Sequence, residues 1–456
     1  MPDVRLALVG AFFVVVWLGI GIRLVDVQAL NADAYADRGF EQRVRQEELV
    51  AVRGAILDRD HQAIARSVDA LTVIADPTLI TDDVGTAQLL APLVSRSEDD
   101  LIEAFASDRR YYVVQRGITG DDAEGFNRYV TANEIKGLFY VTEPKRIYPF
   151  ASLASQLVGF VGGDDGSGIE GLEYRYDDVL AGTPGRQVVE RDPYGNPIPQ
   201  GHHTVEDAVH GSDLILTVDS QIQFAAEQAL EEALLATGAL SGSVVAIDVQ
   251  TGGVLAMANA PTFDPNNRKH AQPWIFRNGA VANVYEPGST LKVVTVAAAI
   301  EEGIVAPSTA FEVPPEYVIP LEPEPKIYED VGHEDTVVMS VGDIVARSSN
   351  VGTILIQSLL GNEAHHEYLA SFGLGSSTGE FPAESAGSLE DASNWCVSTC
   401  GPSTAIGYRV AVTPLQMAGV FATIANDGVW MEPHVVEAVV HDDLTVDTYE
   451  PVSRPV

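Results

Sequence analysis

One stretch constrains this chain more than any other: Tyr285-Glu-Pro-Gly-Ser-Thr-Leu-Lys292, running into Val-Val-Thr-Val-Ala-Ala-Ala-Ile-Glu-Glu-Gly303. Pro287 and Gly288 mark a point where a chain turns into a helix, and the Ala/Val-rich run predicts a buried helix ending near Gly303. Ser289 then falls in the first turn, where free backbone N–H groups and the positive end of the helix dipole favour a developing oxyanion. Lys292 lies three residues on, so the two side chains share one helix face. A serine needs a nearby base to become a nucleophile, and burial lowers an amine's pKa enough to make a lysine that base. On an exposed face the same spacing carries no such meaning, and a plain helix start is the alternative. The chain has five lysines, at 136, 145, 269, 292 and 326; Lys292 alone has serine three positions before it, and its neighbours are apolar.

At 456 residues the chain exceeds one ordinary domain, and two or three are expected. A composition of 46% hydrophobic and 20% charged residues is globular. The formal net charge of −38 argues against a nucleic-acid partner, whose phosphates this surface would repel. Two cysteines, Cys396 and Cys400, stand in a lone C-x-x-x-C, a poor zinc site without a further His or Cys pair. A short-loop disulfide and two idle thiols both remain open.

Residues 6–22 carry no charge and are flanked by Arg5 and Arg23. An uncleaved membrane anchor over residues 1–23 is expected, with Ala32-Asp-Ala34 as a competing cleavage site. Orientation is poorly encoded, because Asp3 opposes Arg5 and Arg23 lies on the far side. An acidic amphipathic stretch to about Leu49 predicts helix. Residues 52–60 then read as a strand–turn with paired charges, Arg53-Gly54 followed by Asp58-Arg59. Short strands and helical patterns, such as residues 86–97, mix up to residue 150. Gly/Pro-dense turns over 151–205, among them Val161-Gly-Gly-Asp164 and Asp192-Pro-Tyr-Gly-Asn-Pro-Ile198, predict an irregular β-rich module. A polar boundary at 205–212 precedes a strand at 213–219, a helix at 221–236 and a hairpin of two core strands around Gln250-Thr-Gly-Gly. That order predicts an antiparallel sheet packed with helices.

Ala346-Arg-Ser-Ser-Asn350 begins its S-x-N triplet 59 residues beyond Ser289, between helix-like stretches at 337–346 and 351–360. Alone, the triplet reads as helix capping. Beside the S-x-x-K helix, Ser348 gains a role as proton relay between Lys292 and a leaving amine, and Asn350 as a hydrogen-bond partner for a substrate amide.

Together these landmarks resemble the class B penicillin-binding proteins. The likeness runs through Arg53-Gly-Ala-Ile-Leu-Asp-Arg59, Gly168-Ile-Glu-Gly-Leu-Glu173, Asp213-Leu-Ile-Leu-Thr-Val-Asp219 and Val245-Ala-Ile-Asp-Val-Gln-Thr-Gly252. It continues through the 285–292 and 348–350 motifs to Ile406-Gly-Tyr-Arg-Val-Ala-Val-Thr-Pro-Leu-Gln-Met-Ala418 and Ile424-Ala-Asn426. The resemblance implies a multidomain α+β protein. Its parts would be a membrane helix at 1–23, an irregular β-rich pedestal (dimerisation-type) domain at 24–208, and a β-lactamase-like transpeptidase domain at 209–456, C-terminally incomplete. It implies a peptidoglycan D,D-transpeptidase in which Ser289, Lys292 and Ser348 are catalytic and Asn350 binds substrate, with no metal or organic cofactor. Implied partners are stem peptides, β-lactams, the membrane and other wall-synthesis proteins, with the catalytic domain extracytoplasmic. The short pedestal–catalytic link looks more like division-type than elongation-type members.

One departure stands out. The family's K-[ST]-G motif would follow the Thr413-Pro-Leu-Gln-Met-Ala segment, yet no lysine occurs beyond Lys326 and the sequence runs only to Val456. The expectation is an incomplete copy of a normal enzyme. A catalytically impaired scaffold is the alternative, and a β-lactam-hydrolysing or -sensing relative a further one.

Overall fold

The computed structural model describes residues 2–31, 33, 43–162, 166–190, 198 and 203–456. The Ala32 and Ala34 cleavage signal, the turn residues Gly163 and Asp164, and most of the 192–198 turn lie outside these residues. Contacts divide the chain into two units, residues 1–51 with 183–210, and residues 52–182 with 211–456.

In the first unit the uncharged run forms a helix, Pro2–Val25, that continues as a π-helical turn, Asp26–Leu30. The apolar stretch long enough to cross a membrane is Leu8–Leu30, longer than the 17-residue run between the arginines. The helix expected before Leu49 is a correction: Val44–Leu49 is a strand, paired antiparallel with Gly185–Glu190, which pairs in turn with His203–Glu206. Its partner lies some 140 residues away, and tertiary pairing overrides local propensity there.

The second unit is organised by a seven-stranded sheet. In order it runs Val446–Thr448, Val436–Val440, Asp213–Leu216, Ile56–Leu57, Ala63–Ala75 and Tyr112–Ile118, with Leu138–Ile147 also on the long 63–75 strand. Most pairings are antiparallel, but Asp213–Leu216 runs parallel to Ile56–Leu57. The sheet therefore joins chain from the amino-terminal half to chain near residue 440. Its core holds Ile56, Leu157, Leu172, Leu214, Met257, Val281, Leu415 and Val435. Each such side chain contributes roughly 1.5–3 kcal/mol on leaving water.

Arg53 does not pair with its sequence neighbours. It is buried and donates to Glu173 Oε2 at 2.6 Å, to Asp177 Oδ1 at 2.6 Å and to the Glu173 carbonyl at 2.8 Å. Arg146 donates to the other Glu173 oxygen at 2.7 Å and to the Gly54 carbonyl at 2.6 Å. The 151–182 region is less β-rich than expected: Ser155–Val158, Gly171–Arg175 and Asp177–Leu180 are short helices beside the Phe160–Gly162 and Ser167–Glu170 hairpin.

The helix Ser220–Thr237 and the hairpin Gly242–Ile247 with Val254–Ala260 form where expected. Only the second strand is a core strand; the first is half-buried along its whole length. Residues 337–346 are corrected as well. Val337–Ser340 is a strand paired with Ala310–Val313, and the helix starts at Val341 behind a Ser340–Asp343 capping box.

Candidate active site

Pro287 and Gly288 open a 3-10 turn, Gly288–Leu291, and the α-helix proper runs Lys292–Glu301, with Gly303 in the left-handed region just past its end. Gly288 takes a φ of +58°, open to glycine without strain. Thr290 Oγ1 donates to the Pro287 carbonyl at 2.7 Å, tightening the turn. A second segment braces it: Tyr285 pairs with Val412, the Gly288 N–H donates to the Gly407 carbonyl at 3.1 Å, and the Arg409 N–H donates to Glu286 Oε1 at 2.9 Å. Leu291 and Val294 anchor the helix in a core with Leu369, Phe372, Trp395 and Val412.

Ser289 is therefore exposed at the turn, while Lys292, one helical step on, is only 4% exposed. Burial pushes the Lys292 ammonium down to about 8, against an opposing pull from the Asp330 carboxylate. Its Nζ donates to the Ser348 carbonyl at 2.5 Å and to Ser348 Oγ at 3.1 Å. Among the described residues no hydrogen bond is made by the Ser289 hydroxyl, which is left open to the cleft.

The S-x-N triplet is the junction of two helices. Ser348 closes Val341–Arg347 with a φ of +54°, and Ser349 caps Asn350–Leu360 by accepting from the Gly352 N–H at 2.8 Å. The capping reading thus applies to the middle serine, while the flanking Ser348 is free to meet the lysine. Asn350 Nδ2 donates to the Glu329 carbonyl at 2.9 Å, fixing that side chain to the end of the Lys326–Glu329 strand. Ser289, Ser348 and Asn350 line one cavity of about 300 Å³ with Asp330, His333 and Arg347.

The four residues singled out from sequence therefore converge, Lys292 through its contact with Ser348. Asp330, His333, Arg347 and the bracing Gly407 are additions. Asp330 carried no motif signal, because its place depends on a strand pair returning to the cleft. Gly407 lay within a recognised landmark without an assigned role. Cys396 and Cys400 form a disulfide.

The profile of the penicillin-binding protein transpeptidase domain matches residues 242–456, and that of the penicillin-binding protein dimerisation domain matches residues 48–216. Peptidoglycan D,D-transpeptidase FtsI of Escherichia coli K12 is 30% identical over 422 residues, covering 90% of this chain and 68% of that protein. The chain belongs to the class B penicillin-binding proteins. A second relative, penicillin-binding protein PbpB of Mycolicibacterium smegmatis, is 32% identical over 427 residues and 88% of this penicillin-binding protein, which spans 65% of PbpB's length. Among solved structures, penicillin-binding protein 3 of Mycobacterium tuberculosis complexed with ampicillin superposes with a TM-score of 0.66 at 29% identity, covering 89% of this chain and 71% of that one.

Proposed function

We propose that this penicillin-binding protein acts as a serine D,D-transpeptidase on D-Ala-D-Ala stem peptides of peptidoglycan. The observation that carries this reading is the buried Lys292 amine, 3.1 Å from the Oγ of Ser348, which lines one cavity with Ser289. Ser289 Oγ attacks the penultimate D-Ala carbonyl and passes its proton to neutral Lys292. The developing oxyanion sits at the helix turn, where free N–H groups stabilise it. Collapse expels D-Ala, whose amine takes its proton from Lys292 by way of Ser348. An amine of a neighbouring strand then attacks the ester, Ser289 is restored, and the new amide is the cross-link. Asn350, with Nδ2 held by Glu329, offers Oδ1 to a peptide N–H of the substrate. A β-lactam acylates the same serine, and the ampicillin complex of the mycobacterial relative supports this.

The assignment of residues 1–23 to a single-pass anchor, 24–208 to the pedestal and 209–456 to the transpeptidase part belongs to the same reading. Placing the catalytic part outside the membrane follows from where peptidoglycan lies, and the Cys396–Cys400 disulfide favours an oxidising compartment. The likeness to FtsI supports a division role among other membrane-bound wall-synthesis proteins.

The test is mass spectrometry after incubation with a fluorescent penicillin. A long-lived adduct on Ser289, lost in Ser289→Ala, is expected. Hydrolysis of the adduct within seconds would indicate a β-lactamase, and no adduct at all a scaffold without acyl chemistry.

A further inference from the structure

One carboxylate beside the cleft has bonds that the reaction above does not use. Asp330 follows the Lys326–Glu329 strand, and its side chain is 3% exposed. Its Oδ2 accepts from Ser349 Oγ and its Oδ1 accepts from the Val351 N–H at 3.0 Å. Ser349 and Val351 flank Asn350 and follow Ser348, so a single group grips the backbone that carries both functional side chains of the triplet. The same carboxylate acts electrostatically on Lys292.

His333, on the same loop, completes the arrangement. The Asp335 carbonyl can only accept, so His333 Nδ1 at 2.8 Å must carry a proton. The other ring nitrogen is buried, makes no hydrogen bond among the described residues, and lies 3.5 Å from Asp330 Oδ2. Lys292 from the nucleophile turn, Arg347 from the end of the Val341–Arg347 helix and His333 are the titratable or charged groups that share this corner with Asp330.

We propose that Asp330 is a positioning residue for acylation, holding the Ser348–Asn350 turn against Lys292 by its grip on Ser349 and Val351. It touches no reacting atom. The inference rests on the transpeptidase reading, and it makes two separable contributions testable. The grip sets how well Ser348 meets the amine, so losing it lowers the plateau rate. The negative charge favours the ammonium form of Lys292, so losing it lets the amine become neutral at lower pH.

Penicillin acylation rates of the full chain should be measured from pH 6 to 10, with the thermal midpoint as a fold check. Asp330→Asn, which keeps the size and one acceptor oxygen, is expected to move the acidic limb of the profile to lower pH. Ser349→Ala, which removes a donor but no charge, is expected to lower the plateau about tenfold and leave the limb in place. An unmoved limb in Asp330→Asn, or an unchanged plateau in Ser349→Ala, overturns the proposal. If Ser289 of the unaltered chain takes no label, the transpeptidase reading falls by itself. The titration of Lys292, followed by pH-dependent modification with an amine-reactive reagent and mass spectrometry, still decides whether Asp330 governs it. An unmoved Lys292 titration there also overturns the proposal.

Discussion

At the scale of single residues, the proposed chemistry turns on an amine that is dry enough to lose its proton. With its pKa pushed down to about 8, Lys292 is mostly an ammonium at pH 6 and mostly a base above pH 9. Only the neutral form can accept the Ser289 proton. The acylation rate should therefore rise about tenfold per unit from pH 6 toward pH 8 and then level off. Lys292→Ala should slow acylation by at least about 10²-fold and abolish that limb. Stopped-flow labelling across pH checks both, and a flat profile in the unaltered protein would remove Lys292 from the base role. That Ser289, Lys292, Ser348 and Asn350 come together was legible because two local spacings, S-x-x-K and S-x-N, put them on helix ends. Asp330 was not legible, since only the return of the Glu316–Ile319 and Lys326–Glu329 strand pair brings it to Ser349.

At the scale of elements, the turn that carries Ser289 is held by close backbone contact. A Cβ added to Gly407 would lie 2.0 Å from the Gly288 carbonyl oxygen, and Gly407 has a φ of +82°. Gly407→Ala must therefore displace the turn one residue before Ser289, besides costing about 1–3 kcal/mol in backbone strain. Penicillin labelling of this variant should be much slower while far-ultraviolet circular dichroism stays near native; labelling at the original rate would mean that the brace is dispensable. Elements with periodic sequence, such as Ser220–Thr237 and the 242–260 hairpin, could be read directly. Val44–Leu49 and Val337–Ser340 could not, because each is a strand only by virtue of a distant partner, Gly185–Glu190 and Ala310–Val313.

At the scale of the molecule, the unit formed by residues 52–182 and 211–456 is tied through one sheet and one buried ion cluster. Arg53 and Arg146 share Glu173, which is fully buried, so truncating Arg53 strands charge in the interior. Arg53→Ala should destabilise the unit by about 3–5 kcal/mol. Urea unfolding followed by tryptophan fluorescence should show that loss through the buried Trp395 and Trp430, which lie far along the chain from residue 53, while the exposed Trp17 and Trp274 change little. An unchanged transition would separate the two halves energetically. The Asp213–Leu216 strand has a further consequence, since it lies between Ile56–Leu57 on one side and Val436–Val440 on the other. A protease that nicked the backbone between residues 75 and 213 would cut the covalent thread but not the clasp. The fragments would co-elute until denaturant released them, so a clean gel-filtration peak would be no proof of an intact chain.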